Sequence, residues 1–275
     1  MGFFVLGLNH KVCPVEIREQ LCFGLPEIQS ACAEAKKFPA ISELMILSTC
    51  NRVELYGYSE NPELPEEALL EMLERTHEIK RERFRSYLYR YEDKEAVRHL
   101  FRVAAGLDSL VLGENEILGQ LRSAFRTAVE LSALHSLLYR LTEKALKVGK
   151  DVRTRTHINE GATSIPSVVA ALARKIFGKL SGRKVMVLGT GEMSTMTLRC
   201  LRDAGAKALC VISRNREKGE QIGKQFGADC VSFDGWEQYL ASVDILIAST
   251  ACPHPIVGLT QVRAAMESRA HRPLF

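Results

Sequence analysis

The sequence predicts an α/β protein in two parts: an α+β unit of ferredoxin-like type with added helices over residues 1–155, and a Rossmann-like unit over residues 156–275. Three observations predict it. Short apolar strands alternate with helices over the first 105 residues, with two strands adjacent. From Glu116 to about Arg155 the pattern is purely helical. From residue 184 a continuously apolar strand runs into a glycine turn, and strands and helices then alternate at the spacing of a parallel sheet. A length of 275 residues suits about two domains.

In the first part, Phe3–Leu8 reads as a strand, and Pro14 stands at the first position of a helix through Phe23. A second helix starts at Pro26. Residues 43–48 and 53–58 read as strands from their β-branched and aromatic content. Residues 66–78 are helical and Ser86–Tyr91 is a strand. Asp93 is placed as the N-cap of a helix running to Ala105. Along the following helical stretch Arg140, Lys144, Lys147 and Lys150 recur opposite an apolar face of Leu141, Ala145, Val148 and Val152. That row is either a ridge for a phosphate backbone or a solvated helix side.

In the second part, Gly161 and Pro166 punctuate a junction, and a helix runs through Ile176. Lys184–Leu188 is a strand and Gly189-Thr190-Gly191-Glu192-Met193-Ser194 opens a helix to Ala204. Strands follow at 209–212, 230–231 and 243–248, with a helix over 215–226. Thr260–Ser268 is a helix that should feed one more parallel strand. Arg272-Pro273-Leu274-Phe275 stand where that strand would begin, so the unit reads as incomplete at its C-terminal side.

The glycine turn carries chemistry because it follows a strand and opens a helix. Gly189 permits the tight turn, Gly191 lets the backbone approach a pyrophosphate seated on the helix N-terminus, and Ser194 replaces a third glycine at small volume. A purely structural glycine turn is the alternative. At the end of the second strand an NAD-type site carries an acid for the ribose 2′-hydroxyl. Here Ser213-Arg214-Asn215-Arg216 offers a hydroxyl and two guanidiniums, which suit a 2′-phosphate and predict NADPH over NADH.

Composition narrows the classes. With 46% apolar and 25% charged residues the chain is of ordinary globular type. No apolar run approaches the roughly 18 residues of a bilayer span, and the N-terminus lacks the charged start of a signal peptide. Eight cysteines without a C-x-x-C pair argue against zinc and a disulfide framework and for a reducing cytoplasm. A net charge of +4 permits a nucleic-acid partner without requiring one.

Thr49-Cys50-Asn51-Arg52 interrupts the two central strands. A thiol there is held by the sheet yet accessible, and Arg52 is expected to lower its pKa and hold a carboxylate in its fork of donors. Cysteine nucleophiles need such a setting, because the thiolate attacks. The alternative is a small buried hydrophobe.

The residues resemble the bacterial glutamyl-tRNA reductase family. The resemblance rests on Gly7-Leu8-Asn9-His10-Lys11 with Pro14-Val15-Glu16-Ile17-Arg18-Glu19, on Ser48–Arg52, and on His99–Ser109 and Gly113–Gln120. Val148-Gly149-Lys150, Val152-Arg153-Thr154 and the glycine turn at 189 complete it. These segments are collinear over nearly the whole chain.

The resemblance implies a catalytic glutamyl-tRNA-binding domain over 1–155 and an NADPH-binding domain over 156–275, without the family's C-terminal helical dimerisation domain. Cys50 would be the nucleophile and His99 would matter for catalysis. Thr49, Asn51, Arg52, Ser109, Glu114, Asn115, Glu116 and Gln120 would line the glutamyl pocket, with Arg52 for the carboxylate and the Glu114/Glu116 pair for the ammonium. Gly189, Thr190, Gly191, Glu192, Met193, Ser194, Ser213, Arg214 and Arg216 would hold NADPH. The implied reaction reduces glutamyl-tRNA(Glu) to glutamate-1-semialdehyde through a thioester, the first step of tetrapyrrole synthesis, in the cytoplasm. Implied partners are the tRNA, the aminomutase that takes the aldehyde onward, and a second copy in the family's homodimer. A cleft with a hinge near Gly161 would bring nicotinamide to Cys50. A shortened non-catalytic relative that binds tRNA or a partner, and another NADP-dependent Rossmann oxidoreductase, are the alternative readings.

Overall fold

The computed structural model describes residues 2–60, 65–160, 164–250, 255–269 and 273–275; Gly161, Cys252 and Arg272 lie outside the described residues. The chain divides into two compact units, residues 1–163 and 164–275.

The first unit runs β1 (Gly2–Asn9), α1 (Val15–Gln20), α2 (Leu25–Ala35), β2 (Glu43–Ser48), β3 (Arg52–Ser59), α3 (Glu66–His77), β4 (Tyr89–Glu92), α4 (Asp93–Ala104), α5 (Glu116–Glu130) and α6 (Ser136–Thr156). Its sheet has the order β2-β3-β1-β4 with every neighbouring pair antiparallel, the ferredoxin-like arrangement. Register runs from Gly2 opposite Ser59 to Asn9 opposite Arg52, and Ser48 faces Val53 at the β2–β3 hairpin end.

Strand alternation decides which residues go where. Phe4, Leu6, Leu8, Val53 and Leu55 pack into one core with Ala31 and Cys32 of α2 and Leu69, Leu70 and Leu73 of α3. Val5, Met45, Leu47 and Tyr56 point the other way, into a second core with Leu100, Val103, Leu121 and Ala145 from α4, α5 and α6. Each fully buried Val, Leu, Phe or Met side chain among them stabilises the unit by about 1.5–3 kcal/mol. Because helices cover both faces, Arg52 and Glu54, which share Tyr56's parity, are buried at 1% and 0% exposure.

Three expectations need correction. The strand expected over Ser86–Tyr91 is confined to Tyr89–Glu92, because residues 81–83 and 85–87 form 3₁₀ turns. Asp93 does not cap α4 from outside. It is the helix's first residue at φ 43°, and Glu92 precedes it in extended conformation. The helical stretch from Glu116 breaks at residues 131–135, where Ser132 takes φ 50°. A buried carboxylate explains how α6 restarts. Glu43 of β2 accepts the backbone N–H groups of His135, Leu137 and Leu138 at 2.9, 3.1 and 2.9 Å, which supplies a cap from a distant strand. Arg140, Lys144, Lys147 and Lys150 are exposed on α6, where Glu143 is also exposed and Asp151 half-buried.

The second unit runs α7 (Ile165–Phe177), β5 (Lys184–Leu188), α8 (Glu192–Asp203), β6 (Lys207–Ile212), α9 (Arg216–Phe226), β7 (Asp229–Val231), β8 (Ile245–Ala248) and α10 (Leu259–Glu267). The sheet is parallel with order β7-β6-β5-β8, so the strand order reverses at β5. Such a reversal opens a crevice at the carboxyl ends of the strands, which is where ligands of open α/β sheets bind. On the far edge, Leu246 N donates to Phe275 O at 2.7 Å and Phe275 N to Asp244 O at 3.0 Å. Phe275 therefore pairs with β8 on the side where the sequence places a further strand.

Candidate active site

Cys50 stands exposed at the apex of the β2–β3 turn. Thr49 builds that turn: its N–H donates to Arg52 O at 2.8 Å, and its Oγ1 accepts from the N–H groups of Asn51 and Arg52, each at 3.1 Å. Asn51 O accepts from His10 N at 2.8 Å. Thr49 and Asn51, expected to line a pocket, thus fix the backbone that presents the thiol. Arg18 of α1, 8% exposed, donates from Nε to Cys50 O and from Nη1 to Cys13 O, both at 2.8 Å.

Arg52 departs from its expected role. It points into the second core, where Nη1 meets Glu54 Oε1 at 2.8 Å and Nη2 meets Asp108 O at 2.8 Å and Oδ2 at 3.2 Å. The thiol pKa is raised rather than lowered. Burial raises it most and the Glu114 charge adds to that, against the lowering effects of a backbone hydrogen bond and the Arg18 guanidinium. The cation that acts on the thiol is Arg18, because strand parity turns Arg52 to the covered face.

Beneath the turn lies a buried polar cluster. Glu54 accepts from Arg52, from Tyr56 Oη at 2.5 Å and from Tyr89 Oη, and its Oε1 lies 2.8 Å from His99 Nε2. Burial alone would raise the Glu54 pKa, but the Arg52 charge and the hydrogen bonds from His99 and Tyr56 hold it down at about 2. Asp108 binds Lys11 Nζ at 2.6 Å and accepts from Asn9 Nδ2 at 3.3 Å. His99, 7% exposed, is packed by the rings of Tyr91, Tyr89 and Tyr56 at 4.8, 5.5 and 6.4 Å. Its bonded partner is Glu54, not the thiol.

The loop after α4 brings the remaining polar residues. Gly113 N donates to Gly106 O at 3.0 Å and closes a loop that carries Asp108 and Ser109. At Gly113, φ is 78° and a Cβ would lie 2.2 Å from Ile158 O, so only glycine fits. Ser109 Oγ is buried without a hydrogen-bond partner in conventional geometry, although its hydroxyl is near enough to Glu114 to favour that carboxylate's charged form. His10 Nδ1 is a second buried, unpartnered atom. Glu114 is half-buried, and burial followed by the neighbouring Glu116 charge pushes its pKa up. Arg153 Nη2 donates to Glu114 O at 2.6 Å, while Nη1 donates to Ala104 O and Gly149 O at 2.7 and 2.8 Å. Glu116 and Gln120 are exposed one turn apart on α5, and Asn115 Oδ1 accepts from Asn159 Nδ2 at 3.3 Å.

In the second unit the reversal at β5 holds a crevice of about 330 Å³, lined by the glycine turn, Ser213, Arg214, Lys218 and Phe233 among others. Gly189 has φ 101° and a Cβ there would lie 2.3 Å from Ser249 O, so the turn admits no side chain. At Gly191, the N-cap of α8, a Cβ would meet nothing within 4 Å, so the approach to the helix N-terminus is open. Ser194, 1% exposed, donates Oγ to Ser249 O at 3.3 Å and keeps α8 close to the strand ends. Thr190 and Ser213 hydroxyls pair at 3.2 Å, and Arg214 lies over the Phe233 ring at 5.9 Å.

Arg216 needs correction: it is bonded to Glu220 at 2.8 Å, is 89% exposed, and does not line the crevice. Lys218, which the sequence reading missed, does. Asn215 caps α9 by accepting Lys218 N at 3.0 Å, and so sets the lysine at the crevice. Glu192 is exposed at the start of α8, and Met193 lines a separate apolar cleft. A pyrophosphate on the α8 N-terminus and a phosphate among Ser213, Arg214 and Lys218 suit this donor set.

A thiol-bearing ferredoxin-like unit joined to a dinucleotide-type Rossmann unit defines a class of two-part α/β proteins, and comparison with known proteins narrows it. The family description "Glutamyl-tRNAGlu reductase, N-terminal domain" matches residues 6–156, and "Shikimate / quinate 5-dehydrogenase" matches residues 171–275. The chain belongs to the glutamyl-tRNA reductase family. It is 41% identical over 275 residues to glutamyl-tRNA reductase of Chromohalobacter salexigens, covering all of this chain and 64% of that protein. Against the same-named protein of Akkermansia muciniphila it is 37% identical over 279 residues, covering 100% and 81%. The solved glutamyl-tRNA reductase from Methanopyrus kandleri superposes with a TM-score of 0.57 at 32% identity over 98% of this chain and 64% of that one.

Proposed function

We propose that this chain reduces glutamyl-tRNA(Glu) to glutamate-1-semialdehyde with NADPH, through a thioester on Cys50. The observation that carries this reading is the exposed thiol on a rigid turn, with a buried arginine behind it and half-buried Glu114 nearby. The Cys50 thiolate attacks the ester carbonyl that joins glutamate to the tRNA 3′ end. The new C–S bond replaces the C–O bond, and the departing ribose oxygen takes a proton. Glu114 receives the substrate ammonium, and the unpartnered Ser109 hydroxyl supplies a hydrogen bond beside it. The substrate carboxylate is received by Lys11, whose side chain is half-exposed beside Asp108, while Arg52 stays bound to Glu54 and Asp108 beneath. His99 serves as a positioning residue that holds Glu54, and through it Arg52.

The crevice residues fit a dinucleotide with a 2′-phosphate. Gly189, Gly191 and the α8 N-terminus would hold its pyrophosphate, and Ser213, Arg214 and Lys218 its 2′-phosphate. When bound, NADPH supplies hydride, for which a thioester is a far better acceptor than an oxygen ester. Incubation with glutamyl-tRNA without cofactor should yield a Cys50 adduct one glutamyl group heavier in intact-mass spectra. Reductase activity retained in Cys50→Ala would refute the mechanism, whereas tRNA binding with no adduct or turnover would favour a non-catalytic relative. The family's homodimer, and hand-over of the aldehyde to an aminomutase, belong to this same reading.

A further inference from the structure

We propose that Arg18 is a positioning residue for Cys50: its guanidinium fixes the peptide that aims the thiol and places a cation on that peptide. The inference deepens the proposed function and rests on Cys50 being its nucleophile. Arg18 sits on α1, far from the turn in sequence, yet is 8% exposed and bridges two carbonyls, Cys50 O through Nε and Cys13 O through Nη1, both at 2.8 Å. Two directed bonds from one planar fork fix the turn against α1 as no single point charge could. Thr49 secures the same turn from the strand side through Asn51 and Arg52. The apex peptide is therefore held from both flanks, while the Cys50 side chain stays exposed.

The charges around the thiol make Arg18 more than a brace. Glu114, ahead of α5, opposes the thiolate, and Cys22, whose Sγ lies 3.8 Å from Thr49 O just past α1, is a neutral thiol whose own pKa burial raises. Arg52 is neutralised by Glu54 and Asp108 on the other face of the sheet. Arg18 remains as the guanidinium acting in favour of ionisation at Cys50. An arginine in this place does two separable things, since its charge can be kept while its fork is lost.

The test uses the full chain with Arg18→Gln and Arg18→Lys, each checked by thermal melting. Alkylation of Cys50 by iodoacetamide, an uncharged reagent, is followed against pH by peptide mass. Arg18→Gln should move the alkylation midpoint up and slow labelling near neutral pH by about twofold. Arg18→Lys should keep the midpoint near the parent's, yet lower kcat for glutamyl-tRNA about tenfold, because one ammonium cannot reproduce the bidentate hold. An unchanged midpoint in folded Arg18→Gln overturns the charge role. Parental kcat in Arg18→Lys overturns the positioning role, and decides the matter if the glutamine variant does not fold. The alkylation profile needs no tRNA, so it still reads out if the parent proves unable to turn over.

Discussion

His99 Nε2 lies 2.8 Å from Glu54 Oε1, inside a cluster that also ties Glu54 to Arg52, Tyr56 and Tyr89. A histidine that the family resemblance marks for catalysis is thus bonded to a fully buried carboxylate. The cluster connects α4 to the strand that begins two residues after the thiol. Its consequences are measurable in stability as well as in turnover.

Glu54→Gln should destabilise the first unit by about 3–5 kcal/mol, because it takes from the buried Arg52 guanidinium its closer, fully buried counter-charge and leaves only Asp108. Chemical denaturation followed by circular dichroism would check this; a loss under 1 kcal/mol would mean the ion pair is not holding the turn. The pH dependence follows from the depressed carboxyl. Its folded pKa of about 2 lies below the ordinary value of 4.5, so its stabilisation is complete above about pH 5 and is lost as pH falls through 4 towards 2. Glu54→Gln should flatten that acid limb while leaving the curve between pH 6 and 8 parallel to the parent's.

Much of this was legible in the sequence, and the misses share a cause. The β2–β3 turn that bears the thiol, the α+β character of the first unit and the glycine turn follow from local pattern. The pairing of Arg52 with Glu54 and Asp108 is hard to read locally, because a charged residue at a strand start looks solvent-facing until the helices over that face are known. The sequence did contain the signal: Arg52, Glu54 and Tyr56 alternate on one face of an otherwise apolar strand, which is the spacing of a buried ion pair. Arg18 and Arg153 could not be found that way, since each binds backbone carbonyls brought close only by the fold. Lys218 was missed because its position depends on the Asn215 cap, which starts α9 so that the lysine turns to the crevice while Arg216 turns to Glu220.

That last difference gives a cofactor prediction. Lys218→Ala and Arg214→Ala should each raise KM for NADPH about tenfold or more, the loss of one charged hydrogen bond, with little change for NADH. Arg216→Ala should leave both constants within about twofold, because its side chain is already spent on Glu220. Steady-state kinetics with the two cofactors distinguishes these cases. Equal efficiency of NADH and NADPH in the parent would remove the 2′-phosphate assignment altogether.

Glu114 sets the remaining prediction, because it acts on the thiol and on the substrate with opposite sign. Its charge raises the Cys50 pKa, so Glu114→Gln should lower it and speed iodoacetamide labelling of Cys50 at neutral pH, by about threefold. The same change removes the carboxylate proposed to receive the substrate ammonium, so kcat/KM for glutamyl-tRNA should fall by about tenfold or more. A more reactive thiol in a less active enzyme is the combined signature. It also implies that a bound ammonium, by neutralising Glu114, eases ionisation of Cys50 when substrate arrives. Slower labelling in Glu114→Gln, with the fold intact by circular dichroism, would show that the carboxylate does not oppose the thiolate.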